Sequence, residues 1–316
     1  MITAQWVFTL VGAMFAAFAL LSLFDRSNAK MLGNAAFWGL FALNLVAGSW
    51  LGDFANGCIV LALAALAVLG FIGRGAQATS EEERAAEGER YGNRLFLPIL
   101  IVLVTAVAGT LLYLYVPPLH ATGLFEKNRE TFVLLCAGVL IALAVTYAWL
   151  RPPPLAPLQE GRRLIDAVGW AAVLPMMLAS LGLVLADAGV GRTIGALLLT
   201  VIPSDTIFPA VAAFGLGMAL LTILTGNAFA AFPVMATAIG VPVLIKGYGG
   251  DAAVIGAIGM LAGFCGTLMT PMAANFNIVP AALLELKDRN AVIKAQIGTA
   301  LPLLALNILF IWLFAF

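Results

Sequence analysis

Long apolar runs separated by short polar or charged stretches set the organisation of this chain. Runs long enough to cross about 30 Å of hydrocarbon fall at residues 3–24, 33–51, 54–73, 95–116, 131–150 and 165–186, which predicts six membrane-spanning helices. An apolar pair at 206–224 and 228–244 follows, then an interrupted stretch at 252–286 and a last helix at 291–316. The pair meets at Thr225-Gly226-Asn227, and the interruption reads Gly266-Thr267-Leu268-Met269-Thr270-Pro271-Met272-Ala273-Ala274-Asn275. Each arm of the pair is short enough to dip halfway and return as a re-entrant hairpin, but two full spans would leave every loop on the same side. The expected fold is all-α: a polytopic membrane protein with about eight transmembrane segments plus one re-entrant helical hairpin (206–244) and one broken, unwound helix (252–286).

Composition agrees with a membrane chain. Of 316 residues, 63% are hydrophobic and 10% charged, with mean hydropathy +1.05, whereas a soluble domain carries about 25% charged residues. Sixteen basic and sixteen acidic residues balance, and no basic run suits a polyanion, so nucleic acid is not an expected partner. Cys58, Cys136 and Cys265 all lie in apolar segments without metal-ligand spacing and read as buried free thiols. The stretch Met1-Ile2-Thr3-Ala4-Gln5-Trp6 lacks the positive region of a signal peptide, so it is expected to stay as the start of the first helix.

Loop charge gives an orientation, because Lys and Arg accumulate on the cytoplasmic side. With both termini outside, the inner loops hold Arg26, Lys30, Arg74, Arg84, Arg90, Arg94, Arg151, Arg162, Arg163, Lys287, Arg289 and Lys294, twelve in all. Outside stand Lys127, Arg129, Arg192 and Lys246. In the loop from 74 to 94, Ser80 with Glu83 matches a capping box, and Glu81 with Arg84 and Glu87 with Arg90 are neighbours on a helix; a short solvated helix is expected. Arg151-Pro152-Pro153-Pro154-Leu155-Ala156-Pro157 cannot continue a helix and is expected to be extended. The domain reading is therefore an N-terminal five-helix scaffold bundle (1–150), a Pro-rich cytoplasmic linker (151–163) and a site-bearing transport half-repeat (164–316).

The two interruptions carry the candidate chemistry. Broken helices inside a bilayer survive only where they are buried in protein or line a wet cavity, and a pair of them points to the site of a secondary transporter. Asn227 and Asn275 stand where half-helices would start, and half-helix N-termini present N–H groups and partial positive charge to a carboxylate. The candidate substrate-binding set is Thr225, Gly226, Asn227, Thr267, Thr270, Pro271, Asn275 and Asn277. Released carbonyls at Thr225-Gly226 and from Thr267 to Thr270 offer oxygen ligands to Na⁺ as coupling ion, with Thr225, Asn227, Thr267 and Asp205 as the ion-coupling set. Against this, Asn and Thr also cap helices or glue them together. Asp205 reads better as an N-cap opening the first arm, and Asp187 and Asp251 as residues flanking segment ends. His120, the sole histidine, lies in an outer loop and reads as a surface residue. Gly256, Gly259, Gly263 and Gly266 form a small face for close helix packing. No catalytic residue, metal cluster or further cofactor is expected.

Thr225-Gly226-Asn227 and the run from Gly266-Thr267 through Pro271 to Asn275 resemble the ion transporter superfamily of dicarboxylate, citrate and gluconate carriers. There a hairpin tip of the type Ser/Thr-Asn-Thr faces an unwound helix; here Ala228 replaces the final Thr. Over its whole length the sequence resembles the family named domain of unknown function 979, described as a subunit of a 5-oxoproline transporter and found beside a second small membrane protein of the domain of unknown function 969 type. The resemblance implies a bacterial inner-membrane protein that moves 5-oxoproline, whose carboxylate and lactam group suit half-helix N-termini and Asn side chains.

A physical reason for a partner stands beside this. Carriers of this kind build a site from two repeats of opposite topology, and this chain shows one hairpin and one broken helix. The twelve-to-four charge bias argues against one chain inserting both ways, so a second membrane subunit is expected to supply the opposite half-repeat. The expected function is one subunit of a secondary active carrier for a small organic anion, working by alternating access. A non-transporting structural or channel subunit is the alternative that needs no breaks. An intramembrane enzyme using Asp187 and Asp205 is the third, without an accompanying nucleophile–His pair or metal cluster.

Overall fold

A computed structural model describes residues 1–75, 81–120, 122–199, 206–284 and 286–316. Among the described residues all regular secondary structure is helical, and eight helical stretches are long and apolar enough to cross a membrane. The chain is a polytopic helical membrane protein. It divides into two compact units, Met1–Asp166 and Ala167–Phe316.

The first unit contains α1 (Ala4–Leu23), α2 (Met31–Val68), α3 (Glu81–Tyr91), α4 (Leu97–Tyr115), the single turn α5 (Pro117–His120), α6 (Glu130–Leu150) and α7 (Ala156–Val168), whose last two residues fall in the second unit. The two spans read at 33–51 and 54–73 form one helical run, kinked where Gly52 takes φ 73°, ψ 165°, a conformation that glycine alone adopts readily. The helix read after Ser80 is present as α3, and Ser80 itself lies outside the described residues. The proline stretch is shorter than expected. Arg151 takes a left-handed conformation that ends α6, and helix resumes at Ala156. Pro157 thus occupies a first turn, where a missing N–H costs nothing. The centre of this unit is aromatic: the Phe15 ring lies 5.5 Å from Trp38 and 4.8 Å from Phe41, and the Phe37 ring 4.7 Å from Trp38.

The second unit contains α8 (Leu174–Asp187), α9 (Val190–Leu199), α10 (Ile207–Thr225), α11 (Ala228–Met235), α12 (Ala252–Thr267), α13 (Ala274–Leu283) and α14 (Ala291–Phe314). Helix α10 packs against α11, α12 and α14, and its Phe214 and Met218 join Met235, Ile239, Ile255 and Ile311 in the core. At 19 residues α10 reaches about 28 Å, and the arm Ala228–Ile245 has 18 residues, so both arms of the hairpin are long enough to cross. The second arm changes to π-helical register over Ala236–Ile245, a stretch that contains Pro242. Pro lacks the N–H that an α ladder needs, and the Thr237 hydroxyl donates to Pro233 O at 2.9 Å and Val234 O at 3.0 Å.

The small face read along α12 is a packing face. A Cβ at Gly266 would collide with the Ala219 carbonyl of α10, and one at Gly263 would meet the Ala228 Cβ at 3.0 Å. Gly266→Val is therefore expected to lower stability by about 1–3 kcal/mol, the usual cost of overpacking. Exposed Gly298 in α14 has nothing within 4 Å of its Cβ position, so Gly298→Ala is expected to raise stability by roughly 0.5–1 kcal/mol. Unfolding of the two purified variants beside the parent checks both signs.

Candidate functional site

The apolar cavity in the first unit, about 730 Å³ between α1, α2, α6 and α7, is walled by side chains such as Met14, Phe18, Phe41, Leu135 and Leu140. It offers nothing to hold an anion. In the second unit polar groups gather where α10 ends and α12 breaks.

Helix α10 stops because Gly226 turns left-handed, φ 76°, with its N–H bonded to Thr222 O at 2.7 Å. This is an αL cap, a conformation that favours glycine. Asn227 then takes an extended conformation and caps α11, its Oδ1 accepting from Phe229 N at 2.8 Å. With Oδ1 engaged, the Asn227 NH₂ is the part of the carboxamide left for a ligand. Thr225 Oγ1 donates back to Leu221 O at 2.8 Å and also lies 3.2 Å from Asn227 O, which keeps the tip tightly folded.

Helix α12 ends at Thr267 and α13 begins at Ala274, so six residues, 268–273, are unwound. Asn277 supports this gap. Its Nδ2 donates to Thr267 O at 2.8 Å and to Thr270 O at 2.7 Å, answering two carbonyls released by the break. Thr267 Oγ1 donates to Phe264 O at 2.6 Å. Thr270 reaches across to the hairpin, its Oγ1 donating to Ile223 O at 2.9 Å while accepting from Met272 N at 3.2 Å.

Tip and break therefore touch. A Cβ added to Gly226 would lie 2.5 Å from Met272 O, and α11 and α13 begin two residues beyond these contacting positions. Two helix N-termini, each a locus of partial positive charge, thus start from one place. Two fully buried oxygens beside it, Asn277 Oδ1 and Thr222 Oγ1, have no hydrogen-bond partner, and such groups are rare enough in native structures to need an explanation. A cavity of about 360 Å³ adjoins the break, lined by Leu261, Phe264, Cys265, Thr267, Leu268, Phe276, Leu303 and Asn307; its size suits a small molecule. Asn307 Nδ2 lies 3.5 Å from the Cys265 thiol in its wall.

Of the residues singled out from sequence, Thr225, Gly226, Asn227, Thr267, Thr270 and Asn277 gather at this junction. Pro271 belongs to the unwound segment, with its side chain exposed, and Asn275 is exposed on the first turn of α13. Asp205 lies outside the described residues. Asp251 caps α12 by accepting from Ala253 N at 2.7 Å and Val254 N at 3.0 Å; Asp187 is exposed at the end of α8. His120 is exposed with its ring 5.4 Å from Tyr113. Among the described residues no three His, Cys, Asp or Glu side chains could hold a metal ion together. Thr222 was not singled out beforehand; a further hydroxyl one helical turn before Thr225 was the signal available.

No curated protein and no solved structure matches the chain. The pattern of the family described as Protein of unknown function (DUF979) matches residues 5–316, and the chain belongs to that family.

Proposed function

We propose that this chain is one subunit of a secondary active carrier for a small organic anion, with 5-oxoproline the substrate its family resemblance favours. The observation that carries the reading is the contact between the Gly226 tip and the 268–273 gap, which starts two helices from one place beside unpaired buried oxygens. A carboxylate there would meet the N–H groups of Ala228 and Asn275 and the Asn227 NH₂, the neighbouring Phe229 and Ala274 N–H groups being bonded to Asn227 Oδ1 and Met272 O. No cationic side chain is required. The cavity walled by Leu261, Phe264 and Leu303 would take the apolar body of the solute.

Coupling to Na⁺ fits the same junction. Unwound carbonyls and half-helix C-termini hold Na⁺ in transporters built this way, and α10 and α12 both end here. Thr225, Asn227 and Thr267 are the proposed ion-coupling residues within the described chain, and the unpaired Thr222 Oγ1 and Asn277 Oδ1 add two oxygens to them. The opposite half-repeat would come from a second membrane subunit, and the site would open alternately to each side of a bacterial inner membrane as one bundle rocks against the other.

The test is uptake of labelled 5-oxoproline, and of other small carboxylates, into vesicles that hold this chain with and without its membrane partner. Uptake should need both chains and a Na⁺ or H⁺ gradient; the same uptake by vesicles lacking this chain would end the proposal. Asn227→Ala should weaken apparent affinity about tenfold or more, since a hydrogen bond to a charged group is worth roughly 1.5–3 kcal/mol and each ~1.4 kcal/mol is a factor of ten. Asn277→Ala should abolish uptake and also lower thermal stability, because it frees two buried carbonyls. Exposed Asn275→Ala should leave stability unchanged.

A further inference from the structure

The first unit contains a second, largely buried polar cluster, and the proposed transport site does not use it. Asp166 is 6% exposed. Its Oδ1 accepts from Trp38 Nε1 at 2.7 Å, and its Oδ2 has no hydrogen-bond partner, the nearest cationic nitrogen being Arg162 Nη1 at 3.6 Å. The same Nη1 is bonded to Asp25 Oδ2, so one guanidinium lies between the two carboxylates. The groups facing Asp166 are Asp25 from the loop before α2, Asn34 and Trp38 from α2, and Arg162 one turn earlier on α7; of these only Asp25 and Arg162 carry charge. Asn34 bonds Gly73 through Nδ2 at 2.8 Å and Oδ1 at 2.9 Å, and its side chain also reaches the Asp166 carboxylate.

Two carboxylates share one cation. With both ionised, the cluster carries a net negative charge on a side chain removed from water, and burying an unpaired charge is costly. Asp25 is the one that stays ionised. Burial opposes its charge, but hydrogen bonds from Ser27 and the Arg162 guanidinium outweigh that and hold it below the ordinary carboxylate value. Exposure is graded as well: the Arg162 and Asp25 side chains retain 17% and 10% of their surface, and Asp166 2%, so water reaches the cluster from the Asp25 side.

We propose that Asp166 is a proton-binding site, filled from the water at the Asp25 end, whose occupancy decides whether Arg162 serves one carboxylate or two. The step is the transfer of one proton from hydronium to the unpartnered Oδ2, leaving a neutral carboxyl and a water molecule. Protonated, Asp166 leaves Arg162 to Asp25 alone and the cluster is neutral. Ionised, it draws Arg162 and the Trp38 N–H toward itself and ties α7 to α2.

The readout is infrared difference spectroscopy of the full chain in lipid vesicles as pH is stepped, following the protonated carboxyl band. The parent should show a band that titrates, and Asp166→Asn should lose it. Asp25→Asn removes a like charge and frees Arg162, so the midpoint should fall by about one to three pH units, the span an adjacent Arg gives a carboxylate. Arg162→Gln should move it the opposite way, and Trp38→Phe, which removes a donor to the ionised form, should raise it less. Should Asp166→Asn fail to assemble, the opposite shifts from Asp25→Asn and Arg162→Gln still decide the matter. A carboxyl band unchanged in Asp166→Asn, or a midpoint that neither charge variant moves, overturns the proposal.

Discussion

The second unit depends on answering the backbone groups that open when an apolar helix is interrupted. Lipid offers no hydrogen bonds, so each N–H or C=O released from a helix must find a partner in the chain or face a wet cavity. At the α12–α13 gap one side chain meets much of this demand: the two N–H bonds of the Asn277 carboxamide take Thr267 O and Thr270 O. Thr270 then joins the gap to the hairpin by donating to Ile223 O. The break, the tip and their mutual contact form one hydrogen-bonded unit, and the small α12 residues that let α10 approach hold it in place.

The choice of side chain follows from the same constraint. An aspartate at 277 would accept where donors are needed and would bring charge to a site 0% exposed. A threonine has one donor for two carbonyls. Asparagine supplies both donors without charge, and its remaining oxygen is the one left unpaired. Structural support of the gap and the unpaired oxygen are therefore two ends of one group.

Much of this was legible from the sequence, for reasons that can be named. Gly226 between Thr225 and Asn227 is a helix stop followed by a helix start, and the structure places an αL cap and an N-cap there. The short gap between the second and third apolar runs corresponds to the Gly52 kink. What could not be read was which face of α13 turns inward. Asn275 and Asn277 are two residues apart, about 200° around a helix of 3.6 residues per turn, so one faces in and the other out, and only the packed structure shows that Asn277 is buried and Asn275 exposed. The π-helical register of the second arm was likewise hidden, since Pro233 and Pro242 announce a disturbed ladder and not its new period. Asp166 was hidden by distance: its partners Trp38 and Asp25 lie 128 and 141 positions away, from 166 less 38 and 166 less 25.

The two polar clusters are built on opposite principles, and this bears on how a membrane protein can use polar groups. The groups that gather around Asn277 are backbone carbonyls, carboxamides and hydroxyls. Around Asp166 two carboxyl groups share one guanidinium. A neutral cradle of dipoles is suited to a solute that brings its own charge and leaves with it. A cluster with two carboxyl groups to one cation suits the smallest ligand that restores neutrality, because a proton needs no cavity and Asp166 Oδ2 has no hydrogen-bond partner.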